Sequence, residues 1–204
     1  MAANNETQEL KDRLDLIETM IAEGRRKTES WGWVFVLWGV AYYVAIVWSA
    51  WGRHDSLAWN VTMMAAMLLT WGTVALRINR NQRTAQPGTT LGRAITAVWV
   101  AVGVSMLILI PSLGIGGLSN SRLIVAVVGT MLGTANAASS IILKWKAQFA
   151  CALVWWAAAV ISCLGTTRQS FIALLVANFL CQIVFGIYGM LCEMRARKQG
   201  AIYA

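Results

Sequence analysis

The chain has 204 residues, of which 58% are hydrophobic and only 13% charged, with a formal charge of +8. A soluble domain carries about 25% charged residues. Here the few charges cluster between long apolar runs, which excludes an ordinary soluble globule and indicates a polytopic membrane protein. A barrel needs short alternating segments, and these are absent, so the sequence predicts an all-α transmembrane helical bundle of six spans. The basic excess reads as Lys and Arg gathered on one side of a membrane. No nucleic-acid motif accompanies it, so no nucleic-acid partner is expected. Anionic lipid head groups are the expected attraction, at about 1 kcal/mol per Lys or Arg near the surface.

Residues 1–30 are polar and charged, and the first apolar run begins too late and runs too long for a cleavable signal peptide. Leu10, Leu14, Ile17 and Ile21 follow a four-three-four spacing, with Leu16 and Met20 alongside. That spacing predicts one apolar stripe on a cytoplasmic amphipathic helix. Asn5 with Gln8 fits a capping box. Acidic residues lead and Arg25, Arg26 and Lys27 follow, an order that suits the helix dipole. Gly24 is expected to end or bend the helix. The stripe could dock on a protein partner, on the bilayer surface or on the bundle itself; for the chain as a whole, the partners considered are another protein or a homo-oligomer. Two heptads alone make a marginal coiled coil.

The first span is read at 31–51. Trp31 and Trp33 mark one interface and Trp48 and Trp51 the other, because indole is apolar but its N–H wants a partner. A short loop holding Arg53, His54 and Asp55 leads to the second span at 57–76. Met63, Met64 and Met67 crowd one turn without His or Cys nearby in sequence, so they read as packing residues rather than a soft-metal site. Residues 77–93 form the longest linker, broken by Pro87-Gly88. The third span is read at 94–112, with Pro111 and the following glycines ending it.

The fourth span, 123–143, has no charge and an unusually small face. Gly129, Gly133 and Ala137 recur every four residues, with Asn136, Ser139 and Ser140 beside them. Close packing of small residues and buried polar contacts hold helices together in lipid, so this span is expected at the packing centre. Lys144-Trp145-Lys146 is a tight turn into the fifth span at 147–165, and the sixth is read at 171–192, carrying Asn178 and Gln182. Residues 193–204 form a basic cytoplasmic tail. Asn136 is within reach of Asn178 or Gln182 in such a bundle, as interhelical glue or as a polar path. Such bonds average about 0.6 kcal/mol.

No span carries Asp, Glu, Lys, Arg or His in its interior, which disfavours proton-coupled transport. The single histidine excludes a two-histidine haem, and the four cysteines form no CxxC. HExxH, GxSxG and paired intramembrane carboxylates are all missing. Ser140 and Lys144 share a helix face, yet read as a packing serine and an interfacial lysine. No catalytic residue, cofactor or metal is therefore expected, and the chain reads as a non-enzymatic accessory, sensor or interaction protein. A small-solute transporter or channel acting as an oligomer is the alternative.

Topology follows from the cations. Fourteen Lys and Arg fall in the amino-terminal segment, the 77–93 linker, the 144–146 turn and the tail, against three at Arg53, Arg122 and Arg168. The positive-inside rule then places both termini in the cytoplasm. The segment leading into Leu37-Trp38-Gly39 resembles the start of a loose group of small, uncharacterised bacterial six-helix integral membrane proteins. The resemblance covers about thirty residues, implies a bacterial inner membrane, and carries no activity with it.

Overall fold

The computed structural model describes residues 2–29, 31–51, 55–81, 90–118 and 120–202. Nearly all of them are helical. The helices are α1 (Ala2–Glu29), α2 (Gly32–Trp51), α3 (Asp55–Asn81), α4 (Thr90–Ile115), α5 (Ser121–Leu143), α6 (Lys146–Leu164) and α7 (residues 167–202). The last joins two α segments, Thr167–Asn178 and Phe185–Ile202, through a π turn at Phe179–Val184. Five stretches among the described residues are long and apolar enough to cross a bilayer: Gly32–Trp51, Leu91–Ile115, Ser121–Leu143, Lys146–Leu164 and Thr167–Arg195. The chain is a multi-pass membrane protein on that ground.

Several boundaries differ from the sequence expectation. α1 begins at Ala2, so Asn5 lies inside a helix rather than capping one, and Gln8 Nε2 instead donates to Asp12 Oδ1 at 3.3 Å. Gly24 does not end α1, which continues to Glu29. Its missing side chain makes room for the Leu143 and Leu91 methyls, which would stand 3.0 and 3.1 Å from a Cβ there. Pro111 sits inside α4, which continues to Ile115. Proline there withholds the N–H that would bond Leu107 O and crowds that carbonyl, yet the helix runs on past it; the next residue, Ser112, donates its hydroxyl to Ile108 O at 2.6 Å. α4 stops instead at Gly116-Gly117, where Gly117 takes φ +69°. α7 starts four residues early, at Thr167, because Thr166 and Gln169 form a capping box. It then runs through the tail to Ile202. The 77–93 linker is shorter than expected at both ends, since α3 runs on to Asn81 and α4 begins at Thr90; residues 82–89 and the Arg53–His54 loop lie outside the described residues.

α5 is the packing centre: 61% of its apolar stretch is buried, against 6% for α4. Its main partner is α6. The turn between them places Lys144 in the left-handed region (φ 49°) and Trp145 at the start of α6. At the far end Arg122 ties the pair again, donating to Ser162 O at 3.1 Å and Cys163 O at 2.6 Å, both unsatisfied carbonyls at the close of α6. α7 packs on α6 and α2, α4 on the other flank of α5, and α3 chiefly on α2. The helices thus follow one another across the bundle as α3, α2, α7, α6, α5, α4. α2 and α7 meet backbone to backbone. A Cβ at Gly32 would stand 2.6 Å from Gly186 O, and one at Gly186 would stand 2.7 Å from Gly32 O.

Candidate functional site

Two features of the bundle are built for more than hydrophobic packing: a belt of buried amides, and the way α1 is held across one end.

The belt is made by α5, α6 and α7. All five small-face candidates on α5 are buried: Gly129, Gly133, Asn136, Ala137 and Ser140. The glycines fit against α6. A Cβ at Gly129 would reach within 2.9 Å of the Trp155 carbonyl oxygen, and one at Gly133 would overlap the Trp156 indole. Asn178 and Gln182 are buried on α7. The expected bond from Asn136 to Asn178 or Gln182 is not made. Asn136 Nδ2 turns back to Leu132 O of its own helix at 2.9 Å, and Asn178 Nδ2 crosses instead to Gly39 O of α2 at 3.2 Å. Tyr43 of α2 adds a second tie to α7, from its hydroxyl to Leu175 O at 2.9 Å. The reason is packing order: α2 stands against α7, and Gly39 lets the Gln182 side chain come within 2.9 Å of where its Cβ would be.

Ser140 Oγ donates to Ala137 O at 2.8 Å while Lys144 is exposed, so no serine–lysine pair forms. Gln148, on the first turn of α6, is fully buried, and neither of its amide atoms has a partner; nor do Asn136 Oδ1, Asn178 Oδ1 and Gln182 Oε1. The sequence reading passed over Gln148, two residues after a lysine at an interface. A glutamine just inside a helix that has only small and apolar residues beyond it was the available signal.

The leading concavities are open troughs on single helices. One of about 330 Å³ runs along Gly92–Val100 of α4, and one of about 320 Å³ runs along Ile187–Met194 of α7. A ligand site encloses most of its occupant, and neither trough does so or reaches the belt. Among the described residues no three His, Cys, Asp or Glu side chains gather as a metal site.

The other feature is at the end that carries the α5–α6 turn. Trp145 is buried there, its ring 5.0 Å from Phe185 and 6.3 Å from Tyr188. Phe35 stacks edge-on against both Phe185 and Trp99, at 5.5 and 5.4 Å, and Trp99 Nε1 donates to Ser139 Oγ at 3.1 Å. This aromatic floor draws α2, α4, α5 and α7 together. α1 is laid on it. Arg25 places its guanidinium 5.3 Å over the Trp145 ring and bonds Glu29 Oε1 at 3.2 Å, while Glu29 is itself buried. Gly24 admits Leu91 and Leu143 from the starts and ends of α4 and α5, and the Glu29 backbone lies beside Gly189 of α7. Between residues 29 and 24, α1 therefore passes from α7 to α4 and α5, across the end of the bundle.

No family model, curated protein or solved structure matches this chain.

The remaining half of α1 lies beyond this floor. Every residue from Gln8 to Thr19 is exposed. The stripe residues Leu10, Leu14 and Ile17 are 61%, 60% and 51% exposed, while Ile21, at the edge of the floor, is half-buried. The sequence reading found the stripe but not the latch. Arg25 reads as one of a basic triplet, and nothing in its neighbours points to an indole 120 residues away.

Proposed function

We propose that this protein is a non-enzymatic accessory or interaction protein of a bacterial inner membrane, with α1 as its working surface. α2 to α7 are its six spans and both termini are cytoplasmic. The observation that carries the reading is the division of α1 into a latched half and an exposed half. A helix held by Gly24, Arg25 and Glu29 presents Leu10, Leu14 and Ile17 away from its own bundle. An apolar stripe held out in that way is a surface for another molecule. The sixth span is α3. Its 27 residues reach about 40 Å at 1.5 Å each, more than the roughly 30 Å of hydrocarbon. Six crossings also return fourteen of the seventeen cations to one side, where they attract anionic head groups.

The test is site-specific photocrosslinking in intact membranes, with the probe at Leu14, and at Asp12 for comparison. Adducts of defined protein mass from Leu14, and weaker ones from Asp12, are the expected result. Crosslinks from Leu14 to lipid alone would overturn the interaction reading. The unpartnered amide oxygens of Asn136, Gln148, Asn178 and Gln182 are the one feature that favours a polar-solute transporter. Flux in liposomes that is lost in Asn178→Leu while the protein stays folded would establish that reading in its place.

A further inference from the structure

We propose that the exposed half of α1 pairs with the same segment of a second copy, the two helices running antiparallel about a two-fold axis normal to the membrane. The proposal rests on the reading of α1 as an interaction surface and names its occupant.

The chain's own bundle cannot cover the stripe. α1 is one unbroken helix from Ala2 to Glu29 and is fastened at Gly24, so Leu10 lies about 21 Å along its axis from that fastening. The lipid surface is a poor occupant as well. Residues 6–18 carry five acids, Glu6, Glu9, Asp12, Asp15 and Glu18, against two bases, Lys11 and Arg13. An anionic leaflet repels such a segment.

A second copy fits in shape, and although both segments are net acidic, one register sets opposite charges face to face, which a uniformly anionic leaflet does not offer. α1 crosses the end of the bundle, so a two-fold axis along the membrane normal makes two such helices antiparallel. The four-three-four stripe then has one natural register, with Leu10 facing Ile21 of the second copy and Leu14 facing Ile17 of the second copy. In that register Lys11 and Glu18, which flank the stripe on the same side seven residues apart, meet Glu18 and Lys11 of the second copy. Two symmetric opposite-charge pairs result, in a segment whose other charges are mostly acidic. The interface is short, and two free peptides of this length would not stay paired. Two bundles confined to one membrane bring the segments together at high effective concentration.

Cysteine crosslinking in native membranes tests both the partner and the direction. Cys163 and Cys192 are replaced by Ala, and the buried Cys151 and Cys181 are kept. Leu10→Cys and Ile21→Cys are then made in separate, differently tagged chains. Co-expressed, they form a mixed disulfide dimer. Expressed alone, neither crosslinks, because identical positions lie about 16 Å apart along the antiparallel pair. Lys11→Glu or Glu18→Lys alone lowers the mixed dimer several-fold, and the double exchange restores it.

A dimer from Leu10→Cys alone would show parallel pairing and overturn the proposal. No dimer in any combination, together with Leu14 photoadducts of another protein's mass, would overturn the second copy as occupant and leave α1 an interaction surface. No dimer together with lipid adducts alone would overturn both.

Discussion

A Cβ added at Gly129 would press on the Trp155 carbonyl oxygen at 2.9 Å and on the Ala159 backbone at 3.3 Å, whereas one added at Gly103 would meet nothing within 4 Å. Both glycines lie in long apolar helices, yet only the first is held by its surroundings. Backbone atoms cannot step aside as a flexible side chain can, so Gly129→Ala forces α5 and α6 apart. We expect it to cost about 1–3 kcal/mol, seen as a lower Tm in detergent. Gly103→Ala is expected to leave Tm unchanged or raise it, since alanine favours helix by about 1 kcal/mol over glycine. The importance of Gly129 and Gly133 is legible in the sequence because they repeat at four residues within one helix. The importance of Gly32 and Gly186 is not. Each stands opposite a glycine more than 150 positions away, and no local pattern records that meeting. The same limit governs the amides. Burial of Asn136 and Asn178 follows from an apolar context, but their choice of Leu132 O and Gly39 O depends on which helices stand side by side.

Among the elements, α1 departs furthest from a uniform amphipathic helix. Its spacing is regular from Leu10 to Ile21, but the residues the bundle covers lie beyond Thr19: Met20, Ile21, Gly24, Arg25, Thr28 and Glu29 are half-buried or buried. The boundary is set by Trp145 and Arg25 rather than by a change in the stripe. Removing the guanidinium in Arg25→Ala loses a cation–π contact of about 0.5–2 kcal/mol and leaves Glu29 buried without its cation. Hydrogen exchange of residues 20–29 is therefore expected to speed up by roughly two- to thirty-fold, while exchange of residues 8–19 stays as fast as before. Arg25→Lys keeps a cation over the ring and recovers part of the protection. α7 shows a different departure. Its sequence carries no helix breaker between Asn178 and Phe185, yet it widens into a π turn just where Cys181 and Gln182 face α6 and α2. One extra residue in the turn lets both side chains point inward, a demand of the tertiary packing that propensity does not express.

For the molecule as a whole, all-helical architecture and membrane residence were readable from charge spacing and apolar run length alone. The order of the helices was not, since six similar apolar runs can be arranged in many ways. Only the tight Lys144–Lys146 turn fixed a pair of neighbours in advance, and α5 and α6 are indeed the most intimate pair. The proposed topology yields a direct prediction. In a background with Cys163 and Cys192 replaced, a cysteine at Asn120 is labelled by an impermeant maleimide on intact cells, and one at Lys144 only after the membrane is opened. A cysteine at Asp55 labels like the one at Asn120 if α3 crosses the bilayer; labelling of Asp55 with the Lys144 class would reduce the spans to five and turn the bundle over for its remaining part.

The pairing of α2 with α7 joins nearly the first membrane segment to be made with the last. Tyr43 waits for Leu175 and Gly39 for Asn178, separations of 132 and 139 residues. At about 5–20 residues per second of synthesis, α2 waits on the order of ten seconds with its glycine face uncovered by α7. Premature termination anywhere before α7 leaves that face open for good, so a truncated chain presents the cell's quality-control proteases with an α2 that has lost its backbone-to-backbone partner.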